Sequence, residues 1–198
     1  MNISEEVKRL KQVIVVGDEN MGWARAALLK QCINWAAKGS GNLFLEFGVA
    51  TGKTINFFSK LIPNKTVYGF DWFGGLPEKW WGCPVGHFKQ DTLPEVRENV
   101  ELIIGKFENT LDDFAATHPG QIAFAHIDCD IYSATKTIFD KLGDRFQKDT
   151  VIQFDEFYNY PTFAENEMKA FLEFVDKRQL KYKYIGRTKQ FQAALRIL

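Results

Sequence analysis

Residues 43–54 read Leu-Phe-Leu-Glu-Phe-Gly-Val-Ala-Thr-Gly-Lys-Thr, and this stretch decides the fold. A short apolar run ends in an acid, Glu46, and two glycines, Gly48 and Gly52, follow before a helix-like segment. The pattern predicts a buried strand, a tight turn and a helix N-terminus. Glycines let a ligand approach the backbone, and a helix N-terminus presents unpaired N–H groups to it. The turn is therefore a candidate ligand site.

Two familiar glycine motifs fit this turn poorly. A phosphate-binding P-loop has four residues between its glycines, whereas Gly48 and Gly52 are separated by three, although residues 151–156 resemble the acidic strand that accompanies such loops. A dinucleotide fingerprint requires Gly-x-Gly-x-x-Gly, which Phe47 and Ala50 interrupt. The P-loop remains an alternative that predicts binding of ATP with magnesium.

A third pattern, Glu/Asp-x-Gly-x-x-x-Gly-x-Thr, is filled from Glu46 to Thr54. An acid at the strand end repels a phosphate but suits a cationic ligand. S-adenosylmethionine carries a sulfonium and an ammonium group, so this pattern favours it as the cofactor.

Composition limits the class of protein. The chain has 198 residues with 45% hydrophobic content, which predicts a single domain, residues 1–198, with a helical cap over 1–40 and a core over 41–198. Basic and acidic residues number 25 each, so no net field draws the chain to nucleic acid or to a membrane. Three cysteines without metal-ligand spacing and an N-terminus without a signal peptide predict a cytoplasmic setting.

The hydrophobic pattern alternates between short apolar runs and amphipathic segments. The predicted strands are 43–47, 66–71, 100–104, 121–127, 150–154, 181–187 and 191–198. The predicted helices are 21–37, 52–61, 110–117 and 133–146, with a further helix opened by a capping box at Thr162 and Glu165. The alternation predicts an α/β fold, a Rossmann-like doubly wound sheet of seven mostly parallel strands with a C-terminal antiparallel hairpin.

Acids follow the first two predicted strands. Glu46 ends the first and Asp71 ends the second, where a carboxylate accepts hydrogen bonds from both ribose hydroxyls in nucleotide-binding folds. The alternative for Asp71 is a turn residue before Trp72. Lys106 and Phe107 follow the third strand, at a position that would flank an adenine ring, although Phe107 also suits the core.

Acids also follow the fourth and fifth strands. Asp128 and Asp130 come after the fourth, and Asp155 and Glu156 after the fifth. Neighbouring strands lie about 4.8 Å apart, so Asp128, Asp155 and Glu156 would face one ion, and hard oxygen ligands favour Mg²⁺. The alternative is that some of these residues cap helices, as Asp130 and Ser133 would.

Residues 72–99 form a long segment with glycines, prolines and three tryptophans. A loop of this length in a compact domain is usually functional, and here it would act as a lid over cofactor and acceptor. The alternative is a packed surface loop. His126, on the buried fourth strand, is expected to be a core histidine with a satisfied hydrogen bond.

Together these segments resemble class I S-adenosylmethionine-dependent methyltransferases, and more narrowly the macrocin O-methyltransferase family, whose members modify sugar hydroxyls of macrolide antibiotics. The matching segments are 46–52, 67–77, 105–111, 126–132 and 155–156. The resemblance implies a seven-stranded sheet with one antiparallel strand, S-adenosylmethionine as cofactor, Mg²⁺ on Asp128, Asp155 and Glu156, and a homodimer through N-terminal helices. Glu156 stands where the family usually has Asp, and Cys129 where it usually has Gly.

The sequence therefore predicts an O-methyltransferase that acts on a small hydroxylated molecule, a sugar or a natural product. Asp128 and Asp130 are the candidate proton acceptors. The predicted cofactor-binding residues are Glu46, Gly48, Ala50, Thr51, Gly52, Thr54, Asp71, Trp72, Lys106, Phe107 and Asp128. The alternative is a non-catalytic protein with the same fold that binds the cofactor or a partner without turnover.

Overall fold

The computed structural model describes residues 2–17 and 21–198, and it is built around one seven-stranded sheet. The strands are β1 (Leu43–Phe47), β2 (Val67–Asp71), β3 (Val100–Ile104), β4 (Ile122–Ile127), β5 (Val151–Phe154), β6 (Tyr182–Arg187) and β7 (Ala193–Ile197). The helices are α1 (Ile3–Lys11), α2 (Met21–Ala36), α3 (Lys53–Leu61), α4 (Phe107–Thr117), α5 (Tyr132–Leu142) and α6 (Glu167–Lys177), with short 3₁₀ turns at Gly143–Arg145 and Phe163–Glu165.

The strand order is β3-β2-β1-β4-β5-β7-β6. Strands β1 to β5 pair in parallel, and β7 runs antiparallel to both β5 and β6. This arrangement confirms the predicted Rossmann-like sheet with a C-terminal antiparallel hairpin. The strand order reverses between β1 and β4, so a crevice opens beyond their carboxyl ends, where ligands bind in open α/β sheets.

Helices cover both faces of the sheet. One face packs α4, α5 and α6, and its apolar cluster includes parallel stacking of Phe139 on Phe174 at 4.4 Å between ring centroids. The other face packs α2 and α3, with Leu28 and Phe58 fully buried. Strands β1, β4 and β5 are buried along their whole length, as expected for central parallel strands.

Three local predictions are corrected. Helix α1, capped by the Asn2 side chain, lies in the segment predicted as a helical cap, although sequence analysis gave no bounds for it. Thr162 and Glu165 do not form a capping box, because the chain makes a 3₁₀ turn there and α6 begins at Glu167 without a side-chain cap. Helix α5 begins at Tyr132, so Ser133 lies within its first turn. Helix α4 begins at Phe107, three residues before the predicted start at position 110.

The long segment 72–99 is described throughout; it has an isolated bridge between Trp80 and Cys83, and backbone hydrogen bonds also join Leu76 to Gly86 and His87, and Phe73 to Gln90. In the part of the chain that the structure describes, no helix combines the length and the apolar character needed to cross a bilayer.

Candidate functional site

A cavity of about 570 Å³ opens beyond the carboxyl ends of the strands, at the point where the strand order reverses. Most of the residues predicted from sequence line it. They are Gly48, Ala50, Thr51, Thr54, Asp71, Trp72, Lys106, Phe107, Asp128, Asp130, Asp155 and Glu156. Glu46 and Gly52 are the predicted site residues outside this lining. The sequence-derived set is therefore one spatial cluster and not a collection of separate motifs.

The turn after β1 has a backbone that depends on glycine. Gly48 has a φ of 93°, and a Cβ placed on it would lie 1.8 Å from the carbonyl oxygen of Asp128. Gly52, with a φ of 75°, is the N-cap of α3 and has no side chain to occupy the helix N-terminus. The turn thus brings bare backbone to the cavity wall, as its sequence predicted.

Asp71 braces this turn from the end of β2. Its Oδ2 accepts hydrogen bonds from the backbone N–H groups of Val49 at 2.9 Å and Ala50 at 2.8 Å. Its Oδ1 accepts one from the N–H of Phe73 at 2.7 Å. Asp71 therefore organises the turn that follows it and also lines the cavity, while its contact with ribose stays a prediction.

Aromatic and basic side chains form the wall beside β3. The Lys106 ammonium lies over the Trp72 ring, 5.0 Å from its centroid, and the Trp72 indole N–H donates to the carbonyl oxygen of Gly75 at 2.6 Å. Phe107 starts α4, and its ring packs edge-on against Phe47 at 5.7 Å between centroids. Phe107 therefore contributes to the core as well as to the cavity lining.

The acids after β4 and β5 converge at the other end of the cavity. Carboxylate oxygens of Asp128, Asp155 and Glu156 lie within 4.8 Å of one another, which is close enough for one cation. Sequence analysis predicted this grouping because the two strands are neighbours. We refer to these three residues as the acid cluster.

Arg25, from α2, extends into the acid cluster. Its Nε lies 2.7 Å from Asp155 Oδ1, and its Nη2 donates to Asp128 Oδ2. Arg25 also lines the cavity, and sequence analysis did not identify it. The available signal was a lone charge in the apolar first half of α2, between the buried residues Ala24 and Leu28.

The ionisable groups around Arg25 have pKa values that are shifted in different directions. Burial alone would lower the pKa of Arg25, but the charges of Asp128 and Asp155 outweigh this effect and raise it. Burial acts to raise the pKa of Asp155, yet Arg25 and His126 hold it below its usual value. Burial and the neighbouring acids raise the pKa of Glu156 well above its usual range. Arg25 therefore favours the ionised form of Asp155, whereas burial and the neighbouring acids favour the protonated form of Glu156.

A buried pair lies beneath the turn. Glu46 and His126 are both fully buried, with Glu46 Oε1 2.8 Å from His126 Nδ1. His126 Nε2 lies 3.7 Å from Asp155 Oδ1, so the pair connects to the acid cluster. The expectation of a core histidine with a hydrogen bond is confirmed. Glu46, which was predicted to hold the cofactor, is engaged with His126 below the cavity.

Glu167 joins the two acidic loops from behind. This fully buried first residue of α6 accepts hydrogen bonds from the backbone N–H of Asp130 at 3.3 Å and of Glu156 at 3.2 Å. Burial and nearby acids raise the pKa of Glu167 well above its usual range. Sequence analysis did not identify Glu167, since nothing in the local pattern separates it from an ordinary acid in the first turn of a helix.

The long segment 72–99 is tied to α5 over the cavity. Ser133, predicted as a helix cap, instead donates from its hydroxyl to Glu78 Oε1 at 2.8 Å. The aromatic rings of Trp80, Tyr160 and Trp81 pack against one another at the same end, with centroids 5.2 to 5.8 Å apart. The segment is therefore packed at this point while it also lines the cavity.

Comparison with solved structures shows the same fold. A calicheamicin methyltransferase, CalS11, superposes with a TM-score of 0.74 at 20% identity, over 99% of this chain and 86% of that chain. The O-methyltransferase NovP matches with a TM-score of 0.65 at 18% identity, over 97% and 87%. TomG from Streptomyces achromogenes, an O-methyltransferase solved with S-adenosylmethionine, matches with a TM-score of 0.53 at 12% identity, over 100% and 99%.

Comparison with curated protein sequences found no match. The model of a methyltransferase domain family matches residues 45–157, from β1 through the acids after β5. The matched region is more than half of the 198 residues and contains the glycine turn, Asp71 and the acid cluster. The chain therefore belongs to the methyltransferase domain family, with the Rossmann-like fold of class I S-adenosylmethionine-dependent methyltransferases.

Proposed function

We propose that this methyltransferase transfers the methyl group of S-adenosylmethionine to a hydroxyl oxygen of a small molecule. The observation that supports it best is the cavity itself. One end is the family-matched glycine turn, of which Gly48, Ala50 and Thr51 line the cavity, and the other is the acid cluster with Arg25. A methyl donor on the turn would point its sulfonium toward groups able to take a proton from an acceptor.

The residues predicted from sequence would make the contacts with the cofactor. The backbone of the turn, from Gly48 to Gly52, would approach the methionine part of the cofactor. Asp71 would take the ribose hydroxyls through carboxylate lone pairs that its three backbone contacts leave free. Trp72 and Phe107 would border the adenine ring. Glu46 would act indirectly, because its carboxylate is fully buried against His126.

The acceptor side follows from the chemistry of methyl transfer. The acceptor oxygen forms a new bond to the methyl carbon as the carbon–sulfur bond breaks, leaving S-adenosylhomocysteine. The hydroxyl proton passes to a carboxylate, for which Asp128 and Asp130 are the candidates in the cavity lining. The protein would contribute mostly by holding donor and acceptor in line and by excluding water.

A cation beside the acceptor oxygen would lower the pKa of the hydroxyl and favour the alkoxide. The predicted Mg²⁺ would be held by Asp128, Asp155 and Glu156, whose oxygens lie close enough for it, and Glu156 Oε2 has no hydrogen-bond partner. Bound there, a metal would act as a Lewis acid on the acceptor. The guanidinium of Arg25 already lies in this cluster, so a metal and Arg25 would share one place.

Sugars are the first acceptors to test. A second CalS11 structure is described as a TDP-rhamnose 3'-O-methyltransferase, and it matches this chain with a TM-score of 0.67 at 20% identity. This fits the narrower resemblance to macrocin O-methyltransferases, which stays a prediction. The cytoplasmic setting and the homodimer also stay predictions.

Two thermal melts test the proposal against its alternatives. S-adenosylhomocysteine is expected to raise the melting temperature, whereas ATP with magnesium is expected to leave it unchanged; the reverse result would favour the P-loop hypothesis. Turnover is then tested with deuterated S-adenosylmethionine, nucleoside-diphosphate sugars and a metabolite extract, followed by mass spectrometry. Cofactor binding without a labelled product in any of these mixtures would instead favour the non-catalytic binding protein.

A further inference from the structure

Arg25 lies where a metal-dependent site would place its ion. Its Nε is 2.7 Å from Asp155 Oδ1, and its Nη2 donates to Asp128 Oδ2, so one guanidinium contacts acids from two adjacent strands. Both acids also belong to the group of three whose oxygens lie within 4.8 Å of one another. A guanidinium is planar and presents five N–H donors, which suits it to holding two carboxylates at once.

Helix α2 holds Arg25 in this position. Ala24, its immediate neighbour, and Leu28 are fully buried, Leu28 packs in the apolar cluster on this face of the sheet, and Gln31 donates a hydrogen bond to the carbonyl oxygen of Ile185 at 2.7 Å. The Arg25 side chain is 29% exposed, and its open side is the cavity. The packing of α2 on the rest of the chain therefore positions the guanidinium of Arg25.

We propose that Arg25 is the resident cation of this active site, and that its guanidinium replaces a divalent metal ion at Asp128 and Asp155. The inference rests on the proposed function, in which the acid cluster faces the acceptor. A guanidinium and a divalent ion at the same carboxylates would repel each other at close range. Metal would therefore bind only after Arg25 withdraws.

In this role Arg25 has two tasks. It fixes the carboxylates of Asp128 and Asp155, and it offers its remaining N–H groups to the acceptor oxygen as negative charge develops there. The proton of the acceptor hydroxyl passes to the carboxylate of Asp128 or Asp130, as in the proposed function. The guanidinium of Arg25 stays protonated throughout, since arginine does not lose its proton in proteins. No additional reactant is needed.

Mn²⁺ binding tests the proposal without knowledge of the acceptor. The full chain is stripped of metal and titrated with Mn²⁺ by calorimetry and by electron paramagnetic resonance, near neutral pH. The variants are Arg25→Met, which removes the charge, Arg25→Lys, which retains it, and Lys30→Met, a control on an exposed residue of the same helix. Wild type, Arg25→Lys and Lys30→Met are expected to bind Mn²⁺ at least about 100-fold more weakly than Arg25→Met.

A double variant tests whether the Mn²⁺ bound by Arg25→Met lies in the acid cluster. Adding Asp155→Asn to Arg25→Met is expected to abolish the gained Mn²⁺ binding, which places the ion in the acid cluster. Tight binding of one Mn²⁺ by wild type at the same carboxylates would overturn the proposal, and this measurement needs no variant to fold. Equal, weak Mn²⁺ binding by wild type and a folded Arg25→Met would overturn it as well.

Turnover gives a second readout once an acceptor is found. Wild type is expected to be fully active in EDTA, and Arg25→Met is expected to lose about 100-fold in kcat, with part of the loss restored by Mn²⁺. Wild-type turnover that requires metal would refute the role of Arg25 and leave the methyltransferase assignment intact. Failure to bind S-adenosylhomocysteine at all would refute the proposed function instead.

Discussion

Glu46 and His126 occupy opposed positions on β1 and β4, with Glu46 Oε1 2.8 Å from His126 Nδ1 and both side chains fully buried. The pair lies at the point where the strand order reverses, two residues before Gly48 on one strand and two residues before Asp128 on the other. A buried charge is costly unless it is paired. The contact therefore pairs Glu46 Oε1 with His126 Nδ1, although Glu46 Oε2 and His126 Nε2 have no hydrogen-bond partner among the described residues.

His126 makes stability depend on pH. Although burial acts against it, contacts with Asp155 and Glu46 raise the pKa of His126 from 6.5 to about 10. Because the folded chain binds this proton more tightly than the unfolded chain, the stabilisation is complete below pH 6.5 and is lost as the pH rises through about 10. Urea denaturation is expected to show a free energy of unfolding that falls across this range.

The variant His126→Gln is expected to lose about 3 kcal/mol of stability at neutral pH, since it leaves Glu46 buried without its partner. It is also expected to flatten the pH dependence between pH 6.5 and about 10. His87→Gln, at an exposed position in the long segment, serves as the control and is expected to keep the wild-type slope. An unchanged slope in His126→Gln would show that another group is responsible.

Asp71 is predicted to determine cofactor affinity. Its carboxylate holds the backbone N–H groups of Val49 and Ala50, so Asp71→Ala removes both the brace of the turn and the proposed ribose contact. The affinity for S-adenosylhomocysteine is expected to fall by about 100-fold, the effect of losing two hydrogen bonds to a charged group. Calorimetry measures it, with Asp91→Ala on an exposed carboxylate as the control. Equal affinity in the two variants would contradict the assignment.

The strands and most helices could be predicted because local pattern determines them. The predicted bounds of β1 and β3 agree with the structure, and the glycine turn follows β1 as expected. The acid cluster could be predicted too, because Asp128 and Asp155 follow neighbouring strands and parallel strands bring their carboxyl ends together.

Arg25 and Glu167 could not be found in this way. Arg25 lies 103 residues before Asp128 in the chain, and Glu167 lies 37 residues after Asp130, so each contact depends on how a helix packs on the sheet. The expected capping box at Thr162 and Glu165 failed for a related reason. The local pattern is typical of a helix that starts at Phe163, but a 3₁₀ turn forms there and α6 begins four residues later, at Glu167, whose side chain reaches the backbone of both acidic loops.

Glu167 is predicted to stabilise the two acidic loops. Glu167→Ala leaves the backbone N–H groups of Asp130 and Glu156 without their acceptor, and the free energy of unfolding is expected to fall by about 3 kcal/mol. Asp176→Ala, an exposed position on the same helix, is expected to change it by less than about 0.5 kcal/mol. Urea denaturation compares the two, and similar small losses would show that Glu167 does not hold the loops.

Alanine substitutions at Gly48 and Gly82 separate the stability cost of backbone strain from that of a steric clash. Both have positive φ, 93° and 83°, but a Cβ on Gly48 would lie 1.8 Å from the Asp128 carbonyl oxygen, whereas a Cβ on Gly82 meets nothing within 4 Å. Gly82→Ala is expected to cost about 1 kcal/mol, the penalty of a left-handed conformation alone. Gly48→Ala is expected to cost more than about 4 kcal/mol, because backbone on both sides must shift.

Urea denaturation of Gly48→Ala and Gly82→Ala at one pH measures both costs. Since the clash lies between the turn after β1 and the loop after β4, Gly48→Ala is also expected to weaken S-adenosylhomocysteine binding at temperatures where it remains folded. Gly82→Ala is expected to retain wild-type affinity. Equal stabilities for the two variants would mean that the turn can move away from Asp128, and the close approach of these two loops would then not be required for the site.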